Sequence, residues 1–325
     1  ATSITPSAES LLRYSEWLQS DRHADLHWME EHYPIKADPS RRWPLVRSAI
    51  VLAKNYVPHP YPSPNSSLRV ALYASGRDYH LWLKEEALEV CEELRRQFPG
   101  EFFAVATDSQ PLLERDLAHR AGLGWFGRNT CLIHPKKGSL FLIVEILTSL
   151  EILTVPKLIP DFCGRCTACI EACPTGALDP QKGLDSRLCI SYWTIEAKTL
   201  PPEPLRAQMG DWFFGCDICQ TVCPWNKKVF TDKLDSRPQR ALSPQERQKV
   251  IAELQEILLL SGKALQRKFA GTPLLRAGPH GLRRNAIIVA GNLRLHELKE
   301  SVQEACRKDI RLQPLLNWFI NQVFS

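Results

Sequence analysis

The chain has 325 residues, 44% of them hydrophobic and 24% charged, with a formal net charge of +5. That length exceeds one small core and points to two or three domains with the composition of an ordinary globular protein. No apolar run approaches the roughly 20 residues of a membrane-spanning helix, and no leader or twin-arginine pair is present, so a cytoplasmic location is expected.

In chain order, residues 8–33 are expected to be helical, with Leu11, Leu12, Leu18, Trp28 and Met29 as apolar positions. Residues 47–56 form a β-branched run ending in a proline-rich loop, Pro58 to Pro64, and are expected to be a core strand. Residues 78–98 are a long amphipathic helix stopped by Pro99-Gly100. A short strand at 102–107 and a helix at 112–121 follow, and Gly122, Gly124 and Gly127 punctuate a turn. Residues 139–148 are another strand, its apolar run interrupted by Glu145. Residues 1–155 are therefore expected to be a mixed α/β domain, and 156–235 a cysteine-rich insert. Helical segments are expected at 243–260, 262–269, 281–292, 295–309 and 311–324, the last three spaced like a HEAT-like tail over 236–325. The fold class is α+β.

Charge is unevenly placed. Residues 237–325 carry 15 Lys+Arg against 7 Asp+Glu, so that part holds +8 and the rest −3. A basic C-terminal third suits a polyanionic partner such as nucleic acid, and equally a solvated helical surface.

Eight of the eleven cysteines fall in one window of 61 residues. The first run is Cys163-x2-Cys166-x2-Cys169-x3-Cys173-Pro174, and the second is Cys216-x2-Cys219-x3-Cys223-Pro224, with Cys189 between them. In two-cluster ferredoxins the fourth cysteine of a run, followed by proline, ligates the other cluster. The count closes with Cys163, Cys166, Cys169 and Cys223 on one [4Fe–4S] cluster, and Cys173, Cys189, Cys216 and Cys219 on the second. Structural zinc also uses paired C-x2-C units, but cysteines at i, i+3, i+6 followed by x3-Cys-Pro are not a zinc-ribbon pattern. Disulfides would need an oxidising compartment that nothing here indicates. Cys91, Cys131 and Cys306 stand alone in apolar surroundings and are expected to be inert.

Clusters carry electrons, so the chain is a carrier or a reductase, and most of its length lies outside the insert. Gly122-x-Gly124-x-x-Gly127 matches a dinucleotide fingerprint only in bare pattern, because it follows a helix. There is no Walker A lysine motif and no Cys-x3-Cys-x2-Cys radical site.

A specific resemblance emerges from several blocks. They are Gly76-Arg77-Asp78-Tyr79-His80; Ala106-Thr107-Asp108-Ser109; Glu114-Arg115; Arg120-Ala121-Gly122-Leu123-Gly124-Trp125; and Gly127-Arg128-Asn129. Gly138-Ser139, Glu145, Cys173-Pro174-Thr175-Gly176-Ala177, Cys189-Ile190-Ser191 and the segment from Gly215 to Asn226 continue it. Over residues 30–290 the chain resembles the epoxyqueuosine reductases. It departs at its start, where that family has a further helix and strand before the position of Ala1.

The resemblance implies a cobalamin enzyme acting on tRNA, which removes the epoxide oxygen of epoxyqueuosine at the wobble position in a two-electron, two-proton reduction. It implies that Asp108 is the general acid; the plain alternative is a helix N-cap before Glu114. It places Lys36, Tyr79, His80, Asp108, Arg115, Gly122, Gly124, Asn129, Ser191 and Asp217 near the cofactor. Arg115, Trp225, Lys227, Lys228, Arg283 and Arg284 are expected to meet tRNA, or else to form a solvated charged face. An Asp-x-His-x-x-Gly cobalamin element is lacking, since Asp25-Leu26-His27-Trp28-Met29-Glu30 has no glycine, so His27 is read as a packing or surface histidine. An external electron donor is required, and a monomer is expected. A corrinoid iron–sulfur reductive dehalogenase and a ferredoxin-type carrier without RNA substrate are the competing readings.

Overall fold

A computed structural model describes residues 1–57, 66–153, 157–230, 237 and 239–324. The proline-rich loop at 58–64 and the two expected domain boundaries, at 155–156 and 235–236, lie outside the described residues. The described strands are β1 Thr2–Ser3, β2 Ser48–Asn55, β3 Arg69–Val70, β4 Phe103–Ala106, β5 Trp125–Phe126, β6 Leu132–Ile133, β7 Phe141–Thr148 and β8 Trp212–Phe214.

The apolar run of β7 makes it a central strand. It pairs antiparallel with β2 along its whole length, from Ser48 opposite Thr148 to Asn55 opposite Phe141. Its other edge pairs with β4, from Phe103 opposite Thr148 to Ala106 opposite Glu145. With β1 outside β2, the sheet order is β1-β2-β7-β4. Alternation sends successive side chains to opposite faces. Val144 and Ile146 pack under Trp82, Leu83, Ala87 and Cys91 of the helix Tyr79–Gln97. Ala49, Val51, Ala106 and Leu147 meet Leu117 and Ala118 of the helix Glu114–Arg120 on the other face. Glu145 has the register of Leu147 and is fully buried.

The single helix expected over 8–33 is instead three: Ala8–Gln19, His27–Glu31 and Tyr33–Ala37. Asp21 and Ala24 adopt φ of +53° and +57°, a left-handed conformation that no helix of L-residues continues through.

Beyond the sheet, the insert contributes short helices at Ala168–Glu171, Ile190–Ile195, Glu203–Gln208, Ile218–Thr221 and Pro224–Val229. The tail forms Pro244–Leu259, Gly262–Lys268, Gly278–Asn292, Lys299–Lys308 and Gln313–Phe324. Ser243 opens the first of these with a reciprocal capping box to Glu246 and Pro244 in the first turn. Insert and tail share one core: Trp193, Phe213 and Phe214 pack with Ala286, Ile287 and Val289. The parallel pairing of β3 with β8 joins that core to the first half of the chain.

Arg283 and Arg284 were expected on a basic face, but Arg283 is 8% and Arg284 0% exposed. Arg284 donates to the carbonyls of Ala197 at 2.6 Å, Thr199 at 3.0 Å and Trp193, clamping the helix Gly278–Asn292 to the insert. Asn285 beside it donates to Thr194 O at 2.7 Å and Phe213 O at 2.9 Å. Arg283 donates to Leu260 O at 2.6 Å. Sequence neighbours on a helix point different ways, but this helix is covered on nearly every side, so both cations turn inward to backbone oxygens.

The clamp makes a prediction. Arg284→Ala strands buried carbonyls that each cost about 1–3 kcal/mol when unpaired, so the variant should lose at least about 3 kcal/mol and melt at markedly lower temperature. A wild-type melting curve with weakened RNA binding would instead restore the surface reading.

Candidate redox and cofactor site

The two cysteine runs fold into neighbouring turns whose thiols form two separate groups. Cys163, Cys166, Cys169 and Cys223 line one cavity of about 350 Å³, together with Phe162, Trp225, Arg128 and Asn129. Cys173, Cys189, Cys216 and Cys219 form the other group, in which Cys173 and Cys216 neighbour Cys189, and Cys219 neighbours both Cys189 and Cys216. Burial pushes Cys169 up to about 11, and Cys216 and Cys219 well above the usual thiol range. Four thiols gathered together are a soft donor set for a cation that displaces their protons. Iron meets that need. Backbone amides already point at the sulfurs: Ser191 and Tyr192 at Cys189, and Trp225 and Asn226 at Cys223.

Between this insert and the sheet lies an open cleft of about 300 Å³, walled by Tyr56, Tyr73, Tyr79, Arg115, Cys131, Leu132, Ser139 and Phe141, with Gln220 on the insert side. Asp108 bonds to this wall. Its carboxylate accepts from the Tyr79 hydroxyl and lies 2.8 Å from His80 Nε2, and His80 Nδ1 lies 2.7 Å from Asp78. Asp78 caps the helix Tyr79–Gln97, accepting from the His80 amide at 3.0 Å, so the first turn delivers both Tyr79 and His80 to Asp108. The cap reading of Asp108 fails: the next helix begins at Glu114, with Leu113 at its N-cap position.

The other predicted residues divide. Arg115 lines the cleft and donates to Thr130 O. Lys36 is buried, with Nζ on Leu112 O at 2.8 Å and 5.6 Å from the Tyr14 ring centroid. Asn129 faces the cysteines, donating to Cys219 O at 3.3 Å and accepting from the Cys131 amide. Asp217 is buried and accepts from Leu72 N–H at 2.6 Å, joining the insert to the first half of the chain. Ser191 lies in the first turn of the helix Ile190–Ile195, which Cys189 precedes. Gly122, at φ +80°, closes the helix Glu114–Arg120 in the left-handed turn that favours glycine. A side chain at Gly124 would collide with the Ile133 carbonyl. Both glycines thus have a backbone duty. Trp225 packs on Trp125 with centroids 5.1 Å apart, and Lys227 and Lys228 are exposed beside it. The metal-like trio His23, His27 and Glu30 lies outside this site, on the segment 23–30.

Sequence reasoning missed Asp78 as a partner of His80, Glu114 as a second carboxyl facing Asp108, and Tyr56, Tyr73 and Gln220 in the cleft. A carboxylate inside an apolar run, Glu145, was the visible signal for a buried polar centre on this side of the sheet.

The carboxylates bracketing His80, Asp108 first and Asp78 second, push its imidazole up to about 10. Its folded value is raised, so its stabilising contribution is complete below about pH 6.5 and is lost as pH rises through about 10. Histidine ring NMR on the oxidised protein should show this ring charged and not titrating between about pH 6 and 8. A midpoint near the ordinary histidine value would dissolve the bracket.

Comparison with known proteins matches this geometry. Residues 162–226 fit the family described as a 4Fe-4S double cluster binding domain, and residues 36–109 fit the one described as epoxyqueuosine reductase QueG, DUF1730. An epoxyqueuosine reductase of Francisella cf. novicida is 37% identical over 297 residues, covering 88% of this chain and 80% of that protein. The Escherichia coli K12 epoxyqueuosine reductase is 34% identical over 295 residues, covering 89% and 76%. A crystal structure of an epoxyqueuosine reductase with an epoxyqueuosine-modified tRNA-Tyr stem loop superposes with a TM-score of 0.80 at 25% identity, covering 100% of this chain and 85% of that one. The chain belongs to the epoxyqueuosine reductase family.

Proposed function

We propose that this protein reduces epoxyqueuosine to queuosine in tRNA, using cobalamin and two [4Fe–4S] clusters, with Asp108 as general acid. Family membership supports the reaction. The observation that carries the acid assignment is Asp108 bonded through Tyr79 to a cleft whose opposite wall, Gln220, adjoins Cys219. On this reading the first cysteine group holds one cluster and the second, nearer the cleft, holds the other. The dehalogenase and carrier readings give way to the family match.

The cleft suits a corrin: Leu132, Phe141, Leu142 and Ile143 supply apolar wall, and Tyr56, Tyr73, Ser139, Gln220 and Arg115 supply donors for a rim of amides. Cobalamin, when bound, supplies the two-electron reducing power that the epoxide carbons require. The chain's own residues do the rest. Opening the ring leaves charge on oxygen, and a carboxylic acid at Asp108 protonates it. Tyr79 and His80 hold that carboxyl in one orientation, and the His80 imidazolium supports the carboxylate left behind.

The tRNA partner follows from the family's substrate, and Arg115, Trp225, Lys227 and Lys228 are its proposed contacts. Lys36 is buried with its Nζ on Leu112 O and does not line the cleft. The tail is proposed to be HEAT-like. A monomer, a cytoplasmic location and an external one-electron donor complete the reading. Among the described residues, no helix is long and apolar enough to cross a membrane.

Asp108→Asn keeps size and a hydrogen-bond donor but delivers no proton. Single-turnover reduction by pre-reduced enzyme should fall about 10²–10⁴-fold, with tRNA and cobalamin binding retained; near-wild-type turnover would remove Asp108 as the acid. Metal analysis after anaerobic purification should find about eight iron and eight sulfide per chain, and Cys189→Ser should damage one cluster selectively. Stoichiometric zinc, or four iron in the wild type, would refute the two-cluster assignment.

A further inference from the structure

Reducing an epoxide to an alkene expels its oxygen as water. Two C–O bonds break and one C–C π bond forms, at a cost of two electrons and two protons. The clusters relay the electrons from the external donor. Both protons must reach the same oxygen, and a carboxylic acid carries one at a time. On the reading above, Asp108 must be reloaded within each turnover.

Two carboxyl groups that the acid step does not use lie behind it. Glu145 sits opposite Ala106, two residues before Asp108, and is fully buried. Neither of its carboxyl oxygens has a hydrogen-bond partner. Glu114 begins the helix Glu114–Arg120 and is half-buried, with its Oε1 sealed from water and likewise unpartnered. An anion so placed lacks the solvation that an ionised carboxylate demands. Burial raises both groups, and each faces a carboxylate that raises it further: Asp108 for Glu114, and Glu114 then Asp108 for Glu145. Opposing them are Lys36 from the helix Tyr33–Ala37, Arg115 from Glu114's own helix, and His80 from the helix Tyr79–Gln97. Lys36 is itself lowered by burial and spends its Nζ on Leu112 O. Exposure rises along the series, from Glu145 in the sheet, through half-buried Glu114, to the Asp108 side chain at 42%.

We propose that Glu145 and Glu114 store a proton and pass it to Asp108 between the two C–O cleavages, so that the departing oxygen takes both its protons through one acid. The pair acts through Asp108 and positions its second proton. Atoms balance: one proton comes from Asp108 as loaded, one from the pair, and both are replaced from solvent after water leaves.

The test uses holoenzyme with both clusters and cobalamin, and an anticodon stem loop containing epoxyqueuosine. Glu145→Gln and Glu114→Gln preserve shape and the neutral form but cannot give up a proton. Infrared spectroscopy of the wild type at neutral pH should show a carboxylic acid band slow to exchange in heavy water, and Glu145→Gln should lose it. Both variants should show kcat reduced about 10²-fold with KM unchanged. Wild-type kcat should decline as pH rises and the stored proton is lost, and the variants should lack that limb. A wild-type protein without the band, or variants with wild-type kcat and pH profile, would overturn the relay while leaving the activity intact. Wild-type holoenzyme that leaves epoxyqueuosine unreduced would overturn the activity and the relay together. If Glu145→Gln does not fold, the half-buried Glu114→Gln decides the relay by the same kcat and pH profile.

Discussion

Eight buried or half-buried thiols, gathered into two groups of four, impose the constraint from which the rest of this molecule follows. Each group of four draws on both cysteine runs, because Cys223 lies with Cys163, Cys166 and Cys169 while Cys173 lies with Cys189, Cys216 and Cys219. The exchange requires residues 163–173 and 216–223 to lie side by side. Their short helices, Ala168–Glu171 and Ile218–Thr221, do pack together. The residues between the runs must then return as a compact loop, and they do so by building β8 and burying Trp212, Phe213 and Phe214. Once β8 is fixed, β3 can pair with it, and the Asp211 carboxylate takes Arg69 at 2.9 Å and Arg240 at 2.6 Å. Metal chemistry and hydrophobic burial thus specify the same fold.

The sheet applies a second, simpler rule. Alternation along β7 sends Glu145 to the face occupied by the helix Glu114–Arg120, and pairing with β4 places it two residues from Asp108. Asp78, by capping the helix Tyr79–Gln97, sends Tyr79 and His80 to the same point. Three segments far apart in sequence converge there, each by a local rule. The result is a carboxylate whose neighbours are set by backbone register, as the proton donor proposed at Asp108 would require.

Legibility followed the range of each interaction. Strands β2 and β7 and the helices Tyr79–Gln97 and Pro244–Leu259 matched expectation because local periodicity and caps specify them. Two-residue strands such as β3 and β5 carry no such pattern; they exist only where a partner arrives. The break at Asp21–Ala24 was invisible because neither residue is a glycine. At the site, the cysteines are conspicuous in the sequence because ligand sets leave a count and a spacing there. The chain of Asp78, His80, Asp108 and Tyr79 spans segments about thirty residues apart, and only the fold joins them.

The basic tail shows why counting charge is weaker than locating it. Three of its cations end on the carbonyls that helix C-termini leave unpaired. Arg283 donates to Leu260 O, Lys308 to Leu259 O at 3.1 Å, and Arg247 to Leu293 O at 3.2 Å and Arg294 O at 3.3 Å. Each of these oxygens lies at or just past the end of Pro244–Leu259 or Gly278–Asn292, where the helix dipole favours positive charge. Others pair with acids, as Arg276 does with Glu196 at 2.9 Å and Lys268 with Glu256 at 2.8 Å. The excess of +8 in the last third is thus placed inside the helical stack only in part, at Arg283 and Arg284, while Lys249, Lys263, Arg267 and Lys299 stay exposed. Cations that remain exposed beside the cysteine-lined cavity, Lys227 and Lys228, come from the insert, where net charge gave no hint of them. Exposed cations are therefore found on both the insert and the tail, and the position of each, more than their sum, decides what a polyanion would meet.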